Sequence, residues 1–87
     1  MPRIEKTIVV KCRQGLHARP AAMFVQIANK YASAVTVRKG AELVNGKSIM
    51  GILMLGADHG CEVVMVAEGD DAGPMFAELE AYLVKEE

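Results

Sequence analysis

The sequence predicts an α+β fold in which three helices cover one face of a four-stranded sheet. Two kinds of apolar pattern alternate along the chain. Four runs are typical of strands and three of helices, in the order β-α-β-β-α-β-α. A hairpin signal between the second and third strands makes the sheet at least partly antiparallel. Because strands and helices each have an apolar face, the economical packing places the helices together on one side of the sheet.

Length and composition exclude several classes of protein. The 87 residues are expected to form one domain over residues 1–87, and a hydrophobic fraction of 52% supports a modest core. A net charge of -1 and an aromatic content of 5% disfavour binding to nucleic acid. There is no signal-peptide pattern and no apolar run of membrane-spanning length, so we expect a cytoplasmic protein without membrane insertion. Two cysteines are too few for a zinc site, and no metal is expected.

The first strand is predicted over residues 4–12. Its alternation places Ile8, Val10 and Cys12 on one face. The residues that follow, "RQG", form a turn in which Gly15 is free to adopt a positive φ.

The first helix is predicted from Ala18 to about Tyr31. Pro20 is tolerated only in a first helical turn, where no intrahelical N–H bond is lost, and this places the helix start close to Ala18. An apolar stripe recurs at helical spacing and consists of Ala21, Phe24, Val25 and Ala28.

Two short strands follow, over residues 34–38 and 42–44, joined by a turn at Gly40. The next run, "SIMGILML", could be a strand or a short helix, and Ser48 as a potential N-cap together with Gly51 inside the run favours the helix. Its apolar residues occur all the way round such a helix. The pattern alone leaves open whether the helix is fully buried or presents an exposed docking patch.

The fourth strand and the third helix complete the pattern. "CEVVMVAE" alternates cleanly, with one face made by Cys61, Val63, Met65 and Ala67. Asp70 and Asp71 are interpreted as caps of the final helix rather than as a catalytic carboxylate pair. The apolar face of that helix consists of Met75, Phe76, Leu79, Tyr82 and Leu83.

The stretch "GLHARPA", residues 15–21, carries the main functional signal. It places His17 where the first helix begins, beside N–H groups that have no intrahelical partner and that attract anions. Arg19 adds a guanidinium suited to phosphate oxygens, and Pro20 stiffens the turn. These positive surroundings favour a neutral, nucleophilic imidazole that takes up and releases a phosphoryl group. The alternative is a histidine that merely caps the helix or lies on the surface.

Two further positions, Ser48 and His59, have a functional and a simpler structural interpretation. A phosphate on Ser48 would lie at another helix start, although the simpler interpretation is an N-cap that contributes about 1 kcal/mol. His59 lacks neighbouring ligands in the sequence and is interpreted as a loop residue. A hydrolase is disfavoured because no paired carboxylates or nucleophile–base set occur.

The sequence resembles the histidine-containing phosphocarrier family, HPr, of the bacterial phosphoenolpyruvate-dependent sugar phosphotransferase system. "GLHARPA" matches the active-site pattern of that family, and "KSIMGILMLG", residues 47–56, resembles its second signature. The resemblance covers essentially the whole chain. It implies an open-faced β-sandwich with antiparallel strands in the order 1-4-2-3.

The resemblance also implies the roles of individual residues. Enzyme I would phosphorylate His17 on Nδ1 at the expense of phosphoenolpyruvate, and His17 would pass the group to an enzyme IIA domain. Arg19 would contact the phosphate, and the backbone N–H groups of Ala18 and Arg19 would cradle it. A monomer without a cofactor is expected, one that relays the group and turns over no substrate alone. The implied partner-docking residues are Ala18, Ala22, Ile49, Met50 and Leu53.

Ser48 corresponds to the position that HPr kinase/phosphorylase modifies in this family. This keeps open a second hypothesis, in which the chain is a regulatory module that binds a partner such as a transcriptional regulator. The implied strand order also makes the first and fourth strands neighbours. Cys12 and Cys61 are therefore predicted to be reduced thiols that lie side by side in the core.

Overall fold

The computed structural model describes residues 2–86, so Met1 and Glu87 of the predicted domain lie outside the described residues. The strands are β1 (Arg3–Val9), β2 (Ala34–Lys39), β3 (Glu42–Asn45) and β4 (Glu62–Glu68). The helices are α1 (Ala18–Ala28), α2 (Ile49–Leu55) and α3 (Ala72–Leu83). The strands form one antiparallel sheet in the order β1-β4-β2-β3, which confirms the predicted topology.

One face of the sheet belongs to the core. Ile8 of β1 lies opposite Val63 of β4, and Val37 of β2 lies opposite Met65. All four side chains are buried. The alternation predicted for β4 is therefore confirmed, because alternate strand residues point to opposite faces.

The three helices lie over that apolar face and pack against one another, with α1 in contact with both α2 and α3. Phe24 of α1, Ile52 of α2 and Leu79 of α3 are completely buried. Burial stabilises each such side chain by about 1.5–3 kcal/mol relative to exposure. None of the helices within residues 2–86 is long and apolar enough to cross a membrane.

The first strand is shorter than predicted and ends at Val9 rather than at Cys12. The N–H groups of Lys11 and Cys12 donate to the carbonyl of Leu83, at 2.8 and 3.2 Å. The chain therefore leaves the sheet to satisfy a carbonyl at the end of α3, which has no partner within its own helix. Strand alternation cannot reveal such a distant acceptor.

The first helix also ends earlier than predicted, at Ala28 instead of about Tyr31. The N–H of Lys30 donates to Ile27 at 3.1 Å, and the N–H of Tyr31 donates to Ala28 at 3.3 Å. These bonds span three residues, so the chain continues past the helix as a tightened turn.

The capping hydrogen bond predicted at the start of the third helix is not formed by Asp71. Asp71 occupies the N-cap position, but its side chain makes no capping hydrogen bond. Its carboxylate accepts instead from the N–H groups of Ala32 and Ser33, both at 2.9 Å, and from the Ser33 hydroxyl. These bonds hold the pKa of the Asp71 carboxyl below its usual range, with the Ser33 hydroxyl as the largest cause. Asp71 thereby ties the segment before β2 to the start of α3.

Both cysteines are free thiols. Cys12 is buried in the core, and Cys61 is half-buried against it. Burial raises the pKa of both thiols, which disfavours the reactive thiolate. Their direct contact stays a prediction.

Candidate functional site

His17 is held between a buried anchor and the start of a helix. Gly15 adopts a φ of 68°, and the next residue, Leu16, is fully buried and donates its N–H to the carbonyl of Ala57 at 2.7 Å. His17 then takes an extended conformation as the N-cap residue of α1. The backbone bonds of the preceding residues hold His17 in place. Its side chain is 45% exposed, so the ring remains accessible.

The helix start beside His17 presents unoccupied donors. Within residues 2–86, the amides of Ala18 and Arg19 have no hydrogen-bond acceptor, and Pro20 carries no N–H. The fourth amide, that of Ala21, donates to the carbonyl of His17 at 3.1 Å. Two free amides at a helix N-terminus favour an anion next to the ring.

Ala18 has a φ of 35°, a backbone conformation that L-residues rarely adopt. It is the one non-glycine residue with positive φ within residues 2–86. Such a conformation costs about 1–3 kcal/mol and persists where surrounding contacts impose it. Here it lies next to the accessible histidine, at the point where the chain enters the helix.

The His17 ring is paired with a carboxylate that the sequence analysis did not predict. Nε2 of His17 lies 2.7 Å from Oδ1 of Asp58, in the loop between α2 and β4. The hydrogen bond from His17 is the largest cause that lowers the pKa of the Asp58 carboxyl, and the charge of Lys39 acts in the same direction. Within residues 2–86, Nδ1 has no hydrogen-bond partner.

A signal for Asp58 does exist in the sequence. The antiparallel pairing of β1 with β4 brings the segment after β1 against the loop before β4, and the N–H of Gly60 donates to Val10 at 2.7 Å. The antiparallel pairing of β1 with β4 therefore places this loop near His17. The expectation of purely positive surroundings for the ring is wrong, because the Asp58 carboxylate lies beside Nε2.

Arg19 points to a different side of the site. It is exposed, and it has neither an ion-pair partner nor a bond to His17 within residues 2–86. Burial raises the pKa of the neighbouring Tyr82 phenol. Arg19 lines a cleft of about 270 Å³ together with Cys12, Gln14, Pro20, Tyr82 and Lys85. The structure therefore brings Arg19 beside the helix start without fixing its guanidinium.

Ser48 is the N-cap residue of α2, as predicted. Its half-buried hydroxyl oxygen accepts from the N–H of Gly51 at 3.1 Å. The helix ends at Gly56, which has a φ of 63°. A glycine in this left-handed conformation is a common helix terminator.

The structure answers the question that the sequence left open about the apolar run of α2. Ile52 and Leu55 are buried, whereas Met50 and Met54 are 63% and 67% exposed. We call the exposed apolar residues of the adjoining helices α1 and α2 the apolar surface. It contains the five predicted docking residues and two further methionines: Ala18, Ala22, Met23, Ile49, Met50, Leu53 and Met54.

An open-faced sandwich with an accessible histidine at a helix start and an apolar surface on the adjoining helices has the architecture of a small phosphoryl carrier. The family model described as "PTS HPr component phosphorylation site" matches residues 4–85. The chain therefore belongs to the PTS-HPr family of phosphocarrier proteins. Members of this family are not enzymes in the ordinary sense.

The similar proteins include both phosphocarriers and regulators. HPr-like protein Crh of Bacillus subtilis is 41% identical over 83 residues, which cover 95% of this chain and 98% of that relative. The crystal structure of phosphocarrier protein HPr from Bacillus anthracis superposes with a TM-score of 0.91 at 38% identity, covering 95% of this chain and 99% of that one.

A third comparison bears on the expectation of a monomer. A crystal structure of Bacillus subtilis Crh has a TM-score of 0.77 at 41% identity, and it covers 95% of each chain. In that structure Crh is a dimer with a swapped domain. Similar chains thus include a dimer, and the monomeric state of this protein stays a prediction.

Proposed function

We propose that this chain accepts a phosphoryl group on Nδ1 of His17 from phosphorylated enzyme I. It then passes the group to a histidine on an enzyme IIA domain, in sugar uptake by a cytoplasmic relay. The observation that carries the proposal is the accessible His17 ring. Its Nδ1 has no partner within residues 2–86, and the free amides of Ala18 and Arg19 lie beside it.

The transfer is a nucleophilic displacement at phosphorus. The lone pair of Nδ1 attacks the phosphorus atom, the N–P bond of the donor breaks, and the donor imidazole leaves with the electron pair. The phosphoryl oxygens then accept from the amides of Ala18 and Arg19 and, once its side chain turns from the cleft towards His17, from the Arg19 guanidinium, which has no ion-pair partner within residues 2–86. Delivery to the acceptor reverses these steps, with His17 as the leaving group.

The apolar surface supplies the docking site for successive partners in this proposal. Its exposed methionines are flexible and polarizable, and they adapt to differently shaped surfaces. A carrier must also leave each partner quickly, which favours a small interface and fast dissociation. The same surface can therefore serve enzyme I and enzyme IIA in turn.

Mass spectrometry after incubation with enzyme I and phosphoenolpyruvate tests the proposal. The wild type is expected to gain one acid-labile phosphoryl group, and His17→Ala is expected to gain none. His59→Ala is the matched control, because His59 is the second histidine of the chain and is exposed. The proposal fails if the wild type gains no phosphoryl group or if His17→Ala still gains one.

A regulatory role through Ser48 is the second candidate, and the similarity to Crh favours it. In this role HPr kinase/phosphorylase would phosphorylate Ser48, and the modified apolar surface would bind a transcriptional regulator. Incubation with that kinase and ATP should then modify the wild type but not Ser48→Ala. Retained regulation in His17→Ala, together with its loss in Ser48→Ala, would favour this role over the relay.

A further inference from the structure

We propose that Asp58 is a positioning residue for phosphoryl transfer at His17. Its carboxylate holds the ring proton on Nε2 and so leaves the lone pair on Nδ1. The same carboxylate balances the positive charge that the ring acquires when Nδ1 bonds to phosphorus. This inference rests on the proposed function, although its first part concerns the unphosphorylated protein.

The backbone around Asp58 is fixed independently of its side chain. Immediately before it, the carbonyl of Ala57 accepts from Leu16 at 2.7 Å. Two residues after it, the N–H of Gly60 donates to Val10 at 2.7 Å. The loop is therefore tied to the segment that leads into His17. The contact of 2.7 Å between Nε2 and Oδ1 joins the side chains of these two tied segments.

A neutral imidazole has one N–H and one nitrogen with a free lone pair, and its neighbours decide which nitrogen is which. A carboxylate accepts but does not donate, so the oxygen beside Nε2 selects the tautomer with the proton on Nε2. Nδ1 of His17 then carries the lone pair that phosphoryl transfer requires. A proton on Nδ1 would block the attack.

The charge balance of the transfer gives Asp58 its second role. When the N–P bond forms and the donor bond breaks, Nδ1 has shared its lone pair and the ring of His17 becomes cationic with its proton still on Nε2. No proton enters or leaves the ring. The Asp58 carboxylate faces this cation at Nε2, so it stabilises the phosphorylated ring with its proton on Nε2. In this form the His17 imidazole is the better leaving group in the next transfer.

Other charged or titratable groups lie around this pair. Lys39 of β2 donates to the carbonyl of Gly56 at 2.9 Å, and its charge helps to keep Asp58 ionised. Cys61 follows Asp58 in the same segment, and Arg19 lies on the cleft side of α1. Since the pKa of Asp58 lies below the ordinary 3.8, its carboxylate is charged at neutral pH.

The expected effect is modest because water screens the pair. The Asp58 side chain is 76% exposed and the His17 side chain is 45% exposed. An exposed ion pair contributes only a small free energy. The loss of the carboxylate should therefore slow phosphoryl acceptance by about 3-fold to 5-fold.

Three variants test the proposal: Asp58→Ala, Asp58→Asn and the matched control Asp70→Asn. Asp70 is an exposed carboxylate in the loop before α3. The ¹⁵N chemical shifts of the His17 ring report its tautomer at a pH where the imidazole is neutral. Asp58→Ala should increase the share of the Nδ1–H tautomer, whereas Asp58→Asn retains an acceptor oxygen and should change it less. Both should accept phosphate from enzyme I about 3-fold to 5-fold more slowly, and Asp70→Asn should match the wild type.

The measurements separate this inference from the proposed function. An unchanged tautomer in Asp58→Ala would overturn the inference even if the protein is phosphorylated normally. A changed tautomer with an unchanged transfer rate would overturn the role in transfer. If the wild type accepts no phosphoryl group, the relay itself fails, and the tautomer still decides whether Asp58 orients the ring.

Discussion

Gly15→Ala is expected to destabilise the protein by about 2–5 kcal/mol. The φ of Gly15 is 68°, which costs an L-residue about 1–2 kcal/mol. A Cβ atom would also lie 2.7 Å from the carbonyl oxygen of Ala57, 2.9 Å from Cα of Asp58 and 3.0 Å from N of His59. These are backbone atoms that cannot rotate away, and overpacking of this kind costs about 1–3 kcal/mol.

Urea and thermal denaturation measure the effect. For a domain of this size, each kcal/mol lowers Tm by about 4–8 °C, so a fall of roughly 8–40 °C is expected. Gly40→Ala is the control, because Gly40 has a φ of 61° and no atom within 4 Å of an added Cβ. It should lose only the backbone part, about 1–2 kcal/mol. Equal losses in the two variants would refute the argument that the loop is closely packed against Gly15.

Four further predictions follow from single contacts. Phe24→Ala should lower the free energy of unfolding by about 3–5 kcal/mol in urea titrations, because it empties a fully buried site. Ser48→Ala should cost about 1 kcal/mol by the same measurement, because the N–H of Gly51 loses its acceptor. The pKa of Asp71 is lowered from 3.8, so its ionised form stabilises the fold above that pH, and this contribution is lost as the pH falls through the lowered pKa. Asp71→Asn removes the contribution, so the free energy of unfolding should fall less steeply in acid than in the wild type. Met50→Asp should leave stability within about 0.5 kcal/mol but weaken transfer with both relay partners, which steady-state kinetics would reveal.

Local patterns account for what the sequence predicted well. The alternation of β4 buries Met65 and Ala67, and the helical stripe of α1 buries Phe24. Both follow from the geometry of a few consecutive residues. Ser48 likewise meets its partner Gly51 only three residues away. The strand order, which came from the family resemblance, is confirmed.

Apart from the ends of β1 and α1, the predictions that failed concern carboxylates whose partners are distant in sequence. Asp58 meets His17 across 41 residues, and Asp71 meets Ser33 across 38 residues. For Asp71 a local interpretation was available, a helix cap, and for Asp58 the sequence pattern offered none. Only the pairing of strands decides which distant donor lies within reach, and side-chain patterns do not carry that register.

The position of β4 has a consequence for how the chain folds as it is synthesised. The sheet order places β4 between β1 and β2, although it is the last strand to leave the ribosome. Before residues 62–68 emerge, the nascent chain can pair only the hairpin of β2 and β3, and an isolated hairpin is marginally stable at best. Assembly of the sheet must therefore wait until β4 has been translated.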